Sequence, residues 1–329
     1  AAFPLAGQLQ VAGKSKMGKI KVMSRASEGK ARFGHDSDGA VVREPGPSGN
    51  VFDVVMAEED TAGDLNAVYK IVDMLKDKGV CLVEADASTD VLTQAYCEAD
   101  ALWESGSFGP PLQVQDESML MEAELWNTML YKDDPKVYWV KMDGGETDPE
   151  MLLRTEALRV LSQHMLDFAN DIREILAEET GVLYTHFWSP MLTCYTGNRT
   201  YNLHLDNPHG SNDSAIPDNG LRVAITYYIN PCWNPVSGYN GGGLDIHLTD
   251  PLHPPTSLIR ARSTEKIRVA PHADTMVFFL AERMAHQVIE TRGREKIFSM
   301  TMWCINDDVA QDFLPRVHAL MRRQQGAPE

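Results

Sequence analysis

The sequence predicts an α+β protein in which a mainly helical half precedes an all-β core. Between residues 64 and 180, apolar residues recur at helical spacing. From about residue 184 the chain changes to short apolar or alternating runs, separated by Gly, Pro, Asn and Asp. At least seven such runs within about 120 residues are typical of an antiparallel sandwich or barrel rather than of a parallel sheet.

The first elements after residue 64 are predicted as helix, strand and helix. The first helix is indicated by apolar residues on one face, and Gly79 supplies its end. The run "VCLVEA" then has the composition of a strand, and "STD" can cap a helix that runs to about Trp103. The apolar residues of the first helix are Leu65, Val68, Val72 and Leu75.

A long amphipathic helix is predicted from "TDPE" onward. Asp148 is suited to cap it, Pro149 to occupy its first turn and Gly181 to end it. Its apolar stripe is interpreted as a packing surface and not as a cofactor site. The stripe consists of Leu158, Leu161, Met165, Phe168, Ile172 and Ile175.

The predicted strands of the β core set the domain boundaries. The runs are "MLTCY", "YNLHLD", "RVAITYYIN", "GGLDIHL", "KIRVA", "TMVFFL", "HQVIE" and "IFSMTMW". We therefore divide the chain into an N-terminal arm over 1–60, a helical lead-in over 61–183, the β core over 184–308 and a C-terminal helix or tail over 309–329.

The charge of the chain disfavours two classes of partner. A net charge of −17 repels nucleic acid and anionic membranes. No apolar run approaches the roughly 18 residues that a membrane helix needs, so a membrane span is not expected.

The N-terminal arm differs in charge from the remainder. Residues 1–35 carry +6 and the rest of the chain carries −23. This basic arm is interpreted either as a solvated tail or as a segment that docks on an acidic partner or on the body of the protein. Because the chain begins with Ala and the arm is acid-poor, a processed N-terminus, such as the remnant of an organelle-targeting region, is a further expectation.

The five cysteines predict neither a disulfide framework nor a zinc site, because they are scattered and form no CxxC pair. A reducing compartment, cytoplasmic or organellar, is the simpler inference. Cys81 and Cys194 lie in apolar runs and are predicted to be buried.

The run "NLHLDN" places a histidine and an aspartate two residues apart. On a strand, His204 and Asp206 would point to the same face. An inward aspartate is costly unless a cation or hydrogen-bond donors accompany it. The pattern alone is equally typical of two polar residues on an ordinary strand, so a metal site requires a third ligand.

Two histidines and one carboxylate on one face are the ligand set of non-haem Fe(II) oxygenases. The downstream candidates for the second histidine are His209, His247, His253, His272 and His286. We favour His286, because it follows the apolar strand "TMVFFL" and opens the strand "HQVIE". His209 and His253 lie in turn-rich sequence typical of the surface.

Longer stretches of the chain resemble a known family. The segments "MLTCYTGNRTYNLHLDNPHG", "VAITYYINPCWNPVSGYNGGGLDIHL", "DTMVFFLAERMAHQV" and "IFSMTMW" resemble the catalytic core of the prolyl 4-hydroxylases, in particular the hypoxia-inducible-factor type. Upstream, "DKGVCLVEADASTDVLTQAYCEADALWESGSF" and "KVYWV" resemble the lead-in of that family. The resemblance covers roughly residues 65–308 in consistent order.

The resemblance implies a double-stranded β-helix, or jelly roll, with supporting helices. It implies Fe(II), 2-oxoglutarate and O2 as cofactors and cosubstrates, with ascorbate as an accessory. By the same resemblance, His204, Asp206 and His286 would be the iron ligands. The residues that match cosubstrate-binding positions or the last core strand are Tyr195, Tyr228, Thr301 and Trp303.

The resemblance gives two candidates for the residue that binds the far carboxylate of 2-oxoglutarate. The family places a basic residue six positions before the strand tryptophan, where this chain has Ile297. Lys296 keeps the ten-residue spacing from His286 and is the favoured partner, with Arg294 as the fallback.

The surface that reads the prime substrate also departs from the hypoxia-factor enzymes. Asp133 and Pro135 replace an arginine and an acid, and Leu280 replaces a large aromatic residue. The sequence therefore predicts an Fe(II)- and 2-oxoglutarate-dependent dioxygenase that hydroxylates a peptidyl proline or a similar residue in another protein or peptide. The alternative is an oxygenase fold retired from catalysis and kept as a subunit of a larger assembly.

Overall fold

The computed structural model of the protein describes residues 34–35, 41–42, 49–56, 65–109, 136–142, 148–209, 218–234, 241–248, 265–291 and 296–312. Most of the basic arm, Asp133, Pro135, His253, Arg294 and most of the predicted C-terminal tail lie outside these residues. None of the described helices is long and apolar enough to cross a membrane.

The described chain forms four helices and fourteen strands. The helices are α1 (Leu65–Lys78), α2 (Thr89–Glu104), α3 (Pro149–Arg154) and α4 (Glu156–Thr180). The strands are β1 (Gly34–His35), β2 (Val41–Val42), β3 (Val54–Val55), β4 (Val80–Glu84), β5 (Lys136–Trp139), β6 (His186–Phe187), β7 (Met191–Tyr195), β8 (Tyr201–His204), β9 (Leu221–Tyr228), β10 (Leu244–His247), β11 (Lys266–Val269), β12 (Thr275–Leu280), β13 (His286–Val288) and β14 (Ile297–Ile305). A further helical turn covers 307–312.

Two sheets build the β core. The larger sheet has the order β3-β4-β12-β9-β14-β7-β5, and β6 pairs with β14 outside this path. The smaller sheet has the order β11-β10-β13-β8. Within both sheets the described pairs are antiparallel except β3 with β4, which is parallel. The antiparallel core and the supporting helices confirm the predicted α+β jelly-roll fold.

Successive side chains of the larger sheet point to opposite faces, so each strand contributes to two separate apolar layers. On β12, Met276 and Phe278 pack into the layer between this sheet and the helices. Val277 and Phe279 point the other way, into the layer between the two sheets. Both faces of β12 are thus buried, which is why "TMVFFL" is apolar throughout instead of alternating.

The helices cover the outer face of the larger sheet. Helix α1 contacts β4 and β12, and α4 contacts α1, α2 and β14. Ser88 caps α2 by accepting a hydrogen bond from Val91 N, and Gly181 ends α4 in the left-handed conformation. Cys81 and Cys194 are buried, as predicted.

The predicted helix behind Asp148 is interrupted. Instead of one helix, α3 ends at Arg154 and α4 begins at Glu156, with a non-helical Thr155 between them. The buried carboxylate of Glu98 on α2 accepts hydrogen bonds from Ala157 N and Leu158 N, each at 3.0 Å. Glu98 therefore satisfies the free N–H groups at the start of α4, which a continuous helix would not expose.

Removing this contact is expected to destabilise the protein. A Glu98→Ala variant leaves two buried N–H groups without their acceptor, and we expect a loss of about 2 kcal/mol in the free energy of unfolding. Glu174→Ala, at an exposed position of α4, is the control and should change it by less than about 0.5 kcal/mol. Urea unfolding measures both. Equal losses in the two variants would contradict a capping role for Glu98.

Candidate metal centre and adjoining cavity

The two sheets bring the predicted metal ligands together at one point. His204 ends β8, Asp206 follows two residues later and His286 begins β13. Strands β8 and β13 are antiparallel neighbours, and His286 lies directly opposite His204. Strand pairing therefore joins a histidine far along the chain to the HxD motif.

The potential ligand atoms of this triad converge. His204 Nε2 lies 3.3 Å and His286 Nε2 3.7 Å from Asp206 Oδ1. The two imidazole rings are 4.2 Å apart between centroids. One ligand atom from each of the three residues lies within 4.8 Å of the others.

Backbone carbonyls fix the orientation of both histidines. His204 Nδ1 is 2.8 Å from Asn202 O, and His286 Nδ1 is 2.9 Å from Met284 O. A carbonyl only accepts, so each Nδ1 carries the proton and, in the neutral ring, each Nε2 presents a lone pair. For His286 the neutral form is favoured, because burial first and His204 second lower its pKa to about 4.

Asp206 is held as a carboxylate with one oxygen left for a ligand. Its Oδ2 accepts a hydrogen bond from Trp303 Nε1 at 2.9 Å, and Asn219 Nδ2 donates to its backbone carbonyl at 2.8 Å. Burial acts to raise the pKa of Asp206, but His286, His204 and the Trp303 N–H act in the opposite direction and hold it at about 2.

This arrangement fits a divalent metal ion. Two imidazole lone pairs and one carboxylate oxygen point at the same place, and without a cation such acceptors repel one another. Two histidines and one carboxylate, each oriented by an outer hydrogen bond, are the donor set of a non-haem Fe(II) site with open positions. The structure therefore supports Fe(II) binding by His204, Asp206 and His286.

A cavity between the sheets adjoins the triad. Four of the residues predicted to contact the cosubstrate line this cavity, namely Tyr195, Tyr228, Thr301 and Trp303. The complete lining is Val137, Met191, Thr193, Tyr195, Tyr201, His204, Asp206, Thr226, Tyr228, Leu244, Phe279, His286, Val288, Ser299, Thr301 and Trp303.

The side chain of Lys296 pairs with acidic residues of α2 instead of lining the cavity. Its ammonium lies 2.5 Å from Asp100 Oδ1 and also contacts Glu104 Oε1, both on α2. Lys296 is absent from the described residues that line the cavity, and Arg294 lies outside the described chain.

Three further hydroxyl residues of the cavity were not predicted. Thr193, Thr226 and Ser299 line it on β7, β9 and β14. The signal in the sequence is the period of two along β14, which puts Ser299 on the same face as Thr301 and Trp303. The partners across the sheet could not be known without the register.

Among the described residues, the other candidate histidines do not join the triad. His247 is on β10 and His272 precedes β12. His209 belongs to a second group with Asp218 and Glu282, but Arg222 pairs with both carboxylates at 2.9 Å. The guanidinium already supplies the positive charge, so this group is an ion-pair network.

The comparisons with known proteins agree with the geometry. Residues 190–305 match the family model of the 2OG-Fe(II) oxygenase superfamily. The matched segment contains strands β7 to β14. No match to a curated protein sequence is found.

Two of the solved structures that share the fold of this chain are prolyl hydroxylases. A prolyl hydroxylase from Trichoplax adhaerens, solved with a peptide fragment of the hypoxia inducible factor oxygen degradation domain, is 20% identical with a TM-score of 0.54; the match covers 74% of this chain and 91% of that chain. A prolyl-4-hydroxylase from Pseudomonas putida is 17% identical with a TM-score of 0.50; the match covers 72% and 98%.

The match of residues 190–305 to the oxygenase family model and the complete set of potential metal-binding side chains identify the protein as a 2-oxoglutarate-dependent dioxygenase. The alternative of an oxygenase fold retired from catalysis is not favoured, since all three potential metal ligands are present and oriented.

Proposed function

We propose that the protein hydroxylates a prolyl residue, or a residue of similar shape, in a protein or peptide. The observation that carries this proposal is the oriented triad of His204, Asp206 and His286 at the end of a cavity whose lining includes Trp303. The two solved structures described above are named as prolyl hydroxylases, and one of them holds a peptide.

Different residues of the chain would have different roles in such a reaction. Fe(II) bound at the triad would supply the oxidative decarboxylation of 2-oxoglutarate to succinate that accompanies hydroxylation. The carbonyls of Asn202 and Met284 keep both imidazole lone pairs aimed at the metal. Trp303 holds the Asp206 carboxylate so that Oδ1 faces the site. Buried apolar side chains of the cavity, such as Leu244 and Phe279, would limit the access of water to the reacting groups.

A row of aromatic rings next to the triad suits an apolar prime substrate. The ring of Trp188 lies 6.0 Å from that of Trp303 and 6.5 Å from that of Trp139, both edge to face. All three rings are only partly buried. A prolyl ring presents a compact apolar surface without an N–H, and it can pack on such rings without leaving a donor unpaired. Leu280 replaces the aromatic residue that the hypoxia-factor enzymes have, so we propose a different protein as substrate.

The test is turnover with peptides. Purified protein is incubated with Fe(II), labelled 2-oxoglutarate and a library of proline-containing peptides. We expect succinate release that increases with particular peptides, together with the addition of one oxygen atom to a prolyl residue in mass spectrometry. Succinate release without any modified peptide would contradict a peptidyl substrate, and an absence of both metal binding and succinate would contradict the enzyme itself.

A further inference from the structure

The segments that carry Asp206 and His286 are joined by contacts outside the metal ligands themselves. Asn207, the residue after Asp206, is completely buried. Its backbone N–H donates to Ala281 O at 3.0 Å, and Ala281 belongs to the short segment that leads from β12 to His286. The backbone beside one ligand is therefore bonded to the backbone that precedes another.

The side chain of Asn207 bonds to a third segment, around the start of β9. Its Nδ2 donates to Asp218 Oδ1 at 2.9 Å and to Leu221 O at 3.0 Å, so both amide protons have an acceptor. Asn219 of the same segment donates from Nδ2 to Asp206 O at 2.8 Å. The main chain at Asp206 is thus held from the side of β9.

Arg222 connects this third segment to the residues before His286. Its guanidinium forms a bidentate pair with the Asp218 carboxylate, with both N···O distances at 2.9 Å. It also pairs with Glu282 Oε1 at 2.9 Å. Glu282 lies two residues before Met284, whose carbonyl orients the imidazole of His286. We refer to Arg222, Asp218, Asn207 and Glu282 as the Arg222 network.

The geometry of the Arg222 network suits a frame for the metal ligands. The side chain of Arg222 is only 11% exposed, and a bidentate guanidinium–carboxylate pair fixes direction as well as distance. Before an ion binds, the imidazole lone pairs and the carboxylate oxygen of the triad repel one another. Their convergence at one point therefore requires that the segments behind them are held in place.

We propose that Arg222 is a positioning residue for the metal centre. It acts on Asp206 through Asp218 and Asn207, and on His286 through Glu282. The inference goes beyond the proposed function, because it concerns the metal centre and applies to any prime substrate. Outer contacts of this kind typically change metal affinity by about 10- to 100-fold when they are removed.

Two variants test the Arg222 network without changing the charge near the metal. Asn207→Ala removes the link from Asp218 to the Asp206 segment. Arg222→Lys keeps the positive charge, but an ammonium lacks the planar fork that forms the bidentate pair. The double variant shows whether the two residues act through one another.

The same substitutions at two other sites are matched controls. Arg268 forms a bidentate pair with Asp245, at 2.6 and 2.9 Å. Asn230 is 2% exposed and donates to Pro271 O and Phe298 O. Arg268→Lys and Asn230→Ala therefore disturb comparable contacts that belong to neither ligand segment.

Mn(II) is titrated into each full-length protein without O2, and the free ion is measured by its EPR signal, so that no turnover is needed. We expect Asn207→Ala to weaken Mn(II) binding by about tenfold and Arg222→Lys to weaken it by a smaller factor. The double variant should bind no more weakly than Asn207→Ala. Both controls should bind as the wild type does, even if they melt at a lower temperature. Thermal melting identifies a variant that does not fold, and Arg222→Lys keeps the test available if Asn207→Ala fails.

Several results would overturn the inference. Wild-type affinity in both network variants would show that the triad keeps its geometry without Arg222. Equal weakening in the controls would show that any loss of stability loosens the site, and a double loss equal to the product of the single losses would show that the two residues act separately. These results leave the proposed function intact, whereas a wild type that bound no Mn(II) would remove the metal centre together with the inference.

Discussion

An Asp206→Ala variant is expected to fold normally and to bind no Fe(II). Asp206 supplies the carboxylate that lies within 3.7 Å of Nε2 of both His204 and His286. Its loss leaves two neutral imidazoles as ligands, and we expect metal affinity to fall more than the 10- to 100-fold that outer-shell changes typically cost, so more than about 100-fold. Succinate production should be undetectable.

Thermal melting with and without metal checks this prediction. The wild type should gain stability on addition of Mn(II), because the ion binds the native state alone, whereas Asp206→Ala should not. Without metal the variant should melt near the wild-type temperature. The substitution also removes the carboxylate of Asp206, whose Oδ1 faces the lone pairs on Nε2 of His204 and His286 and repels them. Asp53→Ala is a matched control, because Asp53 pairs with Lys78 and should not affect metal binding. A large loss of stability with metal binding retained would mean that Asp206 serves packing.

A Trp303→Phe variant is expected to weaken metal binding by about 10- to 100-fold without loss of the fold. Phenylalanine keeps an aromatic ring beside Trp188 but cannot donate the 2.9 Å hydrogen bond to Asp206 Oδ2. The carboxylate then loses the contact that orients Oδ1 toward the metal. The Mn(II) affinity measured against a competing chelator gives the effect.

Trp188→Phe is the control for this second prediction. Trp188 packs edge to face on Trp303, yet no hydrogen bond from it to a metal ligand is found among the described residues. It should therefore bind Mn(II) as the wild type does. Equal weakening in Trp188→Phe and Trp303→Phe would show that the aromatic packing matters and not the N–H donor.

The strands of the core were predictable because their sequence periods are local. The eight runs from "MLTCY" to "IFSMTMW" correspond to β7 through β14 in order. The interruption at Thr155 was not predictable, because it depends on Glu98 of another helix meeting the start of α4. The segments on both sides of Thr155, Pro149–Arg154 and Glu156–Thr180, are helical, so the local helical pattern continues across the break.

The candidate site also has parts that were predictable from the sequence and parts that were not. The HxD spacing and the strand after "TMVFFL" identify His204, Asp206 and His286 as candidates from the sequence. The role of Lys296 depended on which way its side chain turns, and spacing along the chain does not contain that information. In the structure, Asp100 and Glu104 attract its ammonium to α2.

The sequence by itself determined the order of helices and strands, the two-residue spacing that puts His204 and Asp206 on one face, and the kinds of donor available for a metal. These follow from local periodicity and side-chain chemistry. Only the tertiary structure decided that His286 lies opposite His204, that Trp303 bonds Asp206, and that five hydroxyls from three strands meet in one cavity. Those contacts depend on register between strands distant in sequence, and register is fixed by how both layers of the core pack together.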